Sequence, residues 1–277
     1  MAAVRESAVG RGRAPLAGME LDRMTEADVI AAVLQALDHH RGGWVATPNV
    51  DICRAARRDP QLAAVMAGAS LSVPDGMPLI WATRLRGDKL PERITGASLI
   101  FSLSEAAAAS GRSVFYLGGL PGVPEAAAAR LGARYPGLHV AGTDSPPFGF
   151  DTTAEGVAAV RTRLAAAAPD IVFVGLGFPK QEKLITAIAP ALPRTWFVAC
   201  GAAIPFAAQA LPRAPVWMQH SGLEWAFRLR SEPRRLARRY LIDDLPFAVG
   251  LLARCAVQRL RPHHLGAHHE PKHRVIH

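Results

Sequence analysis

Short apolar runs that stop at a polar or glycine-rich turn and give way at once to a helical pattern recur along this chain, and that alternation leaves few folds open to it. Strand-like runs lie at 44–46, 71–73, 113–117, 138–141, 171–174 and 195–199. Between them the spacing of apolar residues predicts helices over 25–37, 50–66, 76–85, 97–109, 125–135, 154–167 and 180–188. The first is opened by Thr25 as an N-cap with acids in its first turn. Strand, turn and helix repeated in this way predict an α/β protein: a Rossmann-like, mostly parallel sheet with helices on both faces. In such sheets ligands bind beyond the carboxyl ends of the strands, so the strand-to-helix turns are where chemistry is expected.

Those turns are chemically distinct. The first holds Thr47-Pro48-Asn49, the second Pro74-Asp75-Gly76, and Glu92-Arg93-Ile94-Thr95-Gly96 follows closely. A carboxylate at a strand end with an arginine near it in sequence suits a general base working beside an anionic leaving group, which points to group transfer. An aspartate before a helix is also a preferred N-cap, the competing reading of Asp75. Gly118-Gly119 and Gly175-Leu176-Gly177-Phe178-Pro179-Lys180-Gln181-Glu182 are candidate diphosphate or base sites, since such turns present bare N–H groups at helix starts. The blander alternatives are that Gly118 and Gly119 only tighten a loop, and that Gln181 and Glu182 are ordinary first-turn residues.

Half of the 277 residues are hydrophobic, enough for one sizeable core with a smaller appended segment. The expected division is a disordered leader over 1–18, an α/β core over 19–210, an arginine-rich helical appendage over 211–262 and a disordered His-rich tail over 263–277. Three scattered cysteines, Cys53, Cys200 and Cys255, form neither a disulfide framework nor a zinc pattern, and fit a reducing cytoplasm. The net charge of +9 is concentrated: Arg228, Arg230, Arg234, Arg235, Arg238 and Arg239 face one acid, Glu232, in that stretch, with Trp217, Trp225 and Phe227 nearby. This patch is read as phosphate-attracting. No run is long enough to span a bilayer. The interrupted apolar segment over 245–260 can lie on an anionic bilayer surface or dock on the core. No DxD pair is present to hold a divalent ion, so neither metal nor cofactor is expected. Charge neutralisation falls to Arg93 and to Arg228, Arg234, Arg235 and Arg238.

In the same order along the chain, Thr47-Pro48-Asn49, Asp75-Gly76, Glu92 to Gly96, Phe115 to Gly119, Gly175 to Glu182, Arg213-Ala214-Pro215 and Gly222-Leu223-Glu224-Trp225 resemble the motifs of the WecG/TagA/CpsF glycosyltransferases, glycosyltransferase family 26. The resemblance implies an inverting transferase that moves N-acetylmannosamine or a related sugar from a UDP donor to a polyprenyl-diphosphate-linked sugar at the inner face of the cell membrane. It makes Asp75 the base, places Thr47 and Asn49 in the sugar pocket, and assigns binding roles to Arg93 and Gln181. It also implies that the arginine-rich appendage closes the site and meets the membrane. Met77-Pro78 stands where many relatives carry a further glycine, which leaves glucose and uronic-acid donors open.

Two other classes fit less well. A nucleotide-cofactor oxidoreductase needs GxGxxG after the first strand, and no glycine follows residues 44–49 there. A nucleic-acid or polyanion-binding protein could use the arginine patch but leaves Asp75 and the sheet-edge turns without a purpose.

Overall fold

The structure, a computed structural model, describes residues 12–260 apart from 216 and 219–221, with the Arg235 side chain also outside the description. The His-rich tail and most of the leader therefore lie outside the described residues. Arg13–Leu16, inside the stretch expected to be a disordered leader, is instead a strand, β1, paired antiparallel with β2 (Met19–Asp22). Ala14, Leu16 and Leu21 are buried, and Asp22 accepts hydrogen bonds from Ser72 N at 2.7 Å and Arg13 Nε at 2.8 Å. The hairpin is thus fastened to an edge of the main sheet, where unpaired strand amides need a partner.

The main sheet is parallel throughout, in the order β4-β3-β8-β7-β5-β6. Its strands are β3 (Gly43–Ala46), β4 (Leu71–Ser72), β5 (Ser113–Leu117), β6 (His139–Asp144), β7 (Ile171–Val174) and β8 (Trp196–Ala199). Every residue of β5, β7 and β8 is buried, as parallel strands covered on both faces require. The two-residue period sorts them into two layers. Phe115, Leu117, Val172, Val174, Phe197 and Ala199 enter one core, while Val114, Tyr116, Ile171, Phe173, Trp196 and Val198 enter the other.

Helices α1 (Glu26–Asp38), α5 (Gly96–Ser110) and α6 (Val123–Arg134) cover the second layer. The first is covered by α2 (Val50–Arg58), α4 (Met77–Arg86), α7 (Ala154–Ala167) and α8 (Lys180–Ile188). Thr25 caps α1 in a full capping box, as its sequence predicts. The single helix expected over 50–66 is two, α2 and α3 (Pro60–Ala67), because Pro60 has no N–H to continue the first and Asp59 Oδ1 caps the second through Gln61 N at 2.8 Å.

After α9 (Ala203–Ala207) the chain forms α10 (Glu224–Ser231), α11 (Pro233–Ala237), a π-helical turn over Arg238–Asp244 and α12 (Leu245–Leu260). Leu251 and Cys255 of α12 join the first core layer, and α12 lies along α4. Arg54 holds this segment to α2 through Asp51 at 2.6 Å and Asp244 at 3.0 Å, and Arg239 pairs with the same two acids. Among the described residues no helix is long and apolar enough to cross a membrane.

The carboxyl ends of the central strands approach closely. A Cβ on Gly118, whose φ is +111°, would lie 2.6 Å from the Gly175 carbonyl oxygen. Gly118→Ala is expected to cost about 2–4 kcal/mol, from a backbone clash and a strained φ together, read as a lower midpoint in thermal unfolding.

Candidate active site

Because β3 and β4 are neighbours, the turns that follow them meet. Asp75 N donates to Pro48 O at 2.8 Å, and Ile94 N donates to Pro74 O at 2.9 Å, which draws in the segment bearing Arg93. The helix after Asp75 begins at Met77 with Gly76 as its N-cap and no side-chain cap, so Asp75 is not an N-cap. Its half-buried carboxylate has no hydrogen bond or ion pair among the described residues. Burial pushes its pKa up from 3.8 to about 6. Arg93, Arg228 and Arg213 act against that rise, and Glu224 adds to it. A carboxyl that titrates near neutrality and is held by no local partner is suited to taking a proton.

The cations around it come from three separate parts of the chain. Arg93 pairs with Glu224 at 3.1 Å, a link between the core and α10 across 131 positions. Arg213 donates to Ala97 O at 3.2 Å, and burial holds its pKa below the usual arginine value. Arg228 lies over the Phe206 ring at 5.6 Å. The loop between Arg213 and α10 reaches the turn because Gly222, at φ +77°, packs where a Cβ would stand 2.6 Å from Met77 Cγ.

Other expected site residues take different positions. Thr47 is buried and donates from Oγ1 to Ala199 O at 3.0 Å, tying the β3 turn to the end of β8. Asn49 caps α2, its Oδ1 accepting from Ile52 N at 3.1 Å, which leaves its amide NH₂ without a partner among the described residues. Gly118 closes the gap to Gly175. Beyond it, the N–H groups of Gly119, Leu120 and Gly122 have no acceptor among the described residues and precede α6. Arg234 and Arg238 are exposed, and the Arg235 side chain lies outside the described residues.

Gln181 and Glu182 are buried, not exposed first-turn residues. Gln181 Oε1 accepts from Gly177 N at 3.2 Å and Gly201 N at 3.0 Å, latching the β7 turn to the β8 turn. Its Nε2 donates to Glu182 Oε1 at 2.9 Å. Burial pushes the Glu182 pKa up to about 7, and its Oε2 has no partner among the described residues. Gln181→Leu would strand two amides and one carboxyl oxygen. A loss of about 2–4 kcal/mol is expected in denaturant unfolding.

Local sequence does not mark Arg213 and Glu224 as site residues, although both lie in the motifs that carry the family resemblance. Among the described residues no three His, Cys, Asp or Glu side chains come together as a metal-binding group.

Comparison with known proteins identifies the family. The family profile described as "Glycosyl transferase WecG/TagA/CpsF family" matches residues 14–261. A Bacillus spizizenii protein named N-acetylglucosaminyldiphosphoundecaprenol N-acetyl-beta-D-mannosaminyltransferase is 30% identical over 230 residues, covering 83% of this chain and 86% of its own length. A Bacillus subtilis protein of the same name is 29% identical over 213 residues, covering 77% of this chain and 81% of its own. The sheet-edge turns, the arginine-surrounded carboxylate and the match over nearly the whole described chain lead to one assignment: this chain belongs to the WecG/TagA/CpsF family and is a glycosyltransferase.

Proposed function

We propose that this glycosyltransferase moves an N-acetylmannosamine-type sugar from a UDP donor to an N-acetylglucosaminyl-diphospho-undecaprenol acceptor, with inversion and without a metal ion. The observation that carries the reading is Asp75: a half-buried carboxylate at the strand edge, free of local partners, with a pKa near 6 and three arginines acting on it. Asp75 takes the proton of the acceptor hydroxyl as that oxygen attacks the anomeric carbon. The bond from that carbon to the diphosphate oxygen breaks, and UDP leaves from the opposite face. The charge growing on UDP is met by Arg93, Arg213 and Arg228, and the free amides before α6, farther along the sheet edge, take a more distant part of the donor. On this reading the amide NH₂ of Asn49 and the lone pairs of Thr47 Oγ1 contact the sugar. Gln181 and Glu182 support the site by holding two of its turns together. The sugar and the acceptor are those named for the two Bacillus relatives.

The reading also places the protein at the inner membrane surface, where such an acceptor resides. Ile242, Leu245, Val249, Val257 and Leu260 are exposed apolar residues at helical spacing along the outer side of the appendage. The full chain should be given UDP-N-acetylmannosamine, its uronic acid form or UDP-glucose with a short-chain acceptor, and the product examined by NMR. A β-linked N-acetylmannosaminyl product from an α-linked donor is expected. A product that keeps the donor's configuration would remove the inverting mechanism.

A further inference from the structure

Away from Asp75, α2 and α12 enclose an open pocket of about 260 Å³. Four arginines line it, Arg54, Arg57 and Arg58 from α2 and Arg254 from α12, over Pro246, Phe247 and Gly250. No acidic side chain is among its lining residues. Arg54 is already paired with Asp51 and Asp244. Arg57, Arg58 and Arg254 are exposed and have no hydrogen bond or ion pair among the described residues. The neighbouring Asp59 uses its carboxylate to cap Gln61 and Leu62. The last turn of α2 favours cations through its dipole, which accounts for Arg57 and Arg58 but not for Arg254 brought opposite them by another helix. Guanidinium groups bind phosphate oxygens in bidentate pairs, and the pocket has room for such a group.

The pocket's position narrows the ligand. Pro246 and Gly250, which line it, directly follow Leu245 and Val249 of the exposed apolar stripe on α12, so the basic pocket opens along the edge of that stripe. A free anion would use the arginines and leave the stripe bare. A lipid whose phosphate enters the pocket has its acyl chains beside the stripe. We infer that this pocket is a headgroup site for a phosphodiester-bearing anionic membrane lipid, distinct from the site around Asp75. The inference rests on the membrane-surface part of the functional reading, and it fixes which face of the appendage meets the bilayer.

The test uses the full chain in sedimentation with phosphatidylcholine vesicles, with and without phosphatidylglycerol. Wild type is expected to prefer the anionic vesicles. The triple variant Arg57→Gln, Arg58→Gln, Arg254→Gln should lose at least about tenfold in partitioning onto them. A second triple variant, Arg130→Gln, Arg161→Gln, Arg194→Gln, removes the same charge from exposed arginines elsewhere and should stay within about twofold of wild type. Turnover with a water-soluble acceptor should be unchanged in the pocket variant, since none of its three arginines acts on Asp75. That readout separates failure of this site from failure of the transferase reading. Equal losses in both triple variants would reduce the effect to net charge and overturn the proposal. So would wild type showing no anionic preference, or the pocket variant losing inorganic pyrophosphate binding while its vesicle binding stays intact.

Discussion

Asp75→Asn is expected to lower acceptor-dependent transfer by about 10²–10⁴-fold while making the folded protein more stable at pH 8. The loss follows from removing the group that accepts the acceptor's proton. The gain follows from the raised pKa. The folded-state value, about 6, lies above the ordinary 3.8, with burial as the largest cause. Below the ordinary value the carboxyl is protonated in both states and carries no penalty. Stability is then lost as pH rises through about 6, and above that the ionised carboxylate weighs fully on the folded state. Asparagine never ionises, so the stability difference should be near zero below pH 4 and reach about 1–3 kcal/mol at pH 8. Urea unfolding of both proteins at the two pH values measures it. In the wild type, kcat/KM should rise along a limb centred near pH 6, and the variant's residual rate should lack that limb. A variant less stable than wild type at pH 8 would mean that Asp75 is a structural group whose ionised form is held by a partner.

Ending the chain after Ala210 is expected to abolish transfer and leave the sheet folded. All six parallel strands and nearly all of both core layers precede that point. What is removed is Arg213, Arg228 and Glu224, hence two of the three cations acting on Asp75 and the partner of Arg93. Donors aimed at a developing oxyanion are worth about 10²–10³ in rate each, so the truncated protein should fall at least about 10²-fold. It should still unfold cooperatively, at a lower temperature, because α4 loses the cover of α12 and Arg54 loses Asp244. Arg213→Gln and Arg228→Gln in the full chain supply the finer comparison, and each should reduce kcat more than it raises KM. Full activity in the truncated protein would refute the appendage's part in the site.

Much of this architecture is written locally in the chain. The parallel sheet is legible because continuous short apolar runs that end in turns, and helical spacing between them, are properties of neighbouring residues. The start of α1 is legible because Thr25 and Asp28 cap each other. The β1–β2 hairpin is not legible, since its short runs around Pro15 and Glu20 gain their order from Asp22 reaching Ser72, fifty positions away. The break at Asp59-Pro60 was present as an aspartate before a proline and was outweighed by apolar spacing that continues through it.

The site divides in the same way. Asp75, Arg93, Thr47 and Asn49 converge because β3 and β4 are adjacent and both turns open at one edge. The burial of Gln181 and Glu182 depends on Gly177 and Gly201, from two different loops, and no local pattern carries it. The arginine run looked like one patch. It splits into Arg228 acting on Asp75, Arg239 bound to Asp51 and Asp244, and Arg234 and Arg238 facing solvent. Arg213 and Glu224 join the site only through contacts with distant parts of the chain, Ala97 for one and Arg93 for the other.

The most direct test is acceptor-dependent UDP release from UDP-N-acetylmannosamine in the presence of EDTA, with wild type and Asp75→Asn measured side by side. Turnover that survives EDTA in wild type and is lost in the variant is the result this account predicts. Wild-type rates in the Asp75→Asn protein, or turnover abolished by EDTA and restored by a divalent ion, would contradict it.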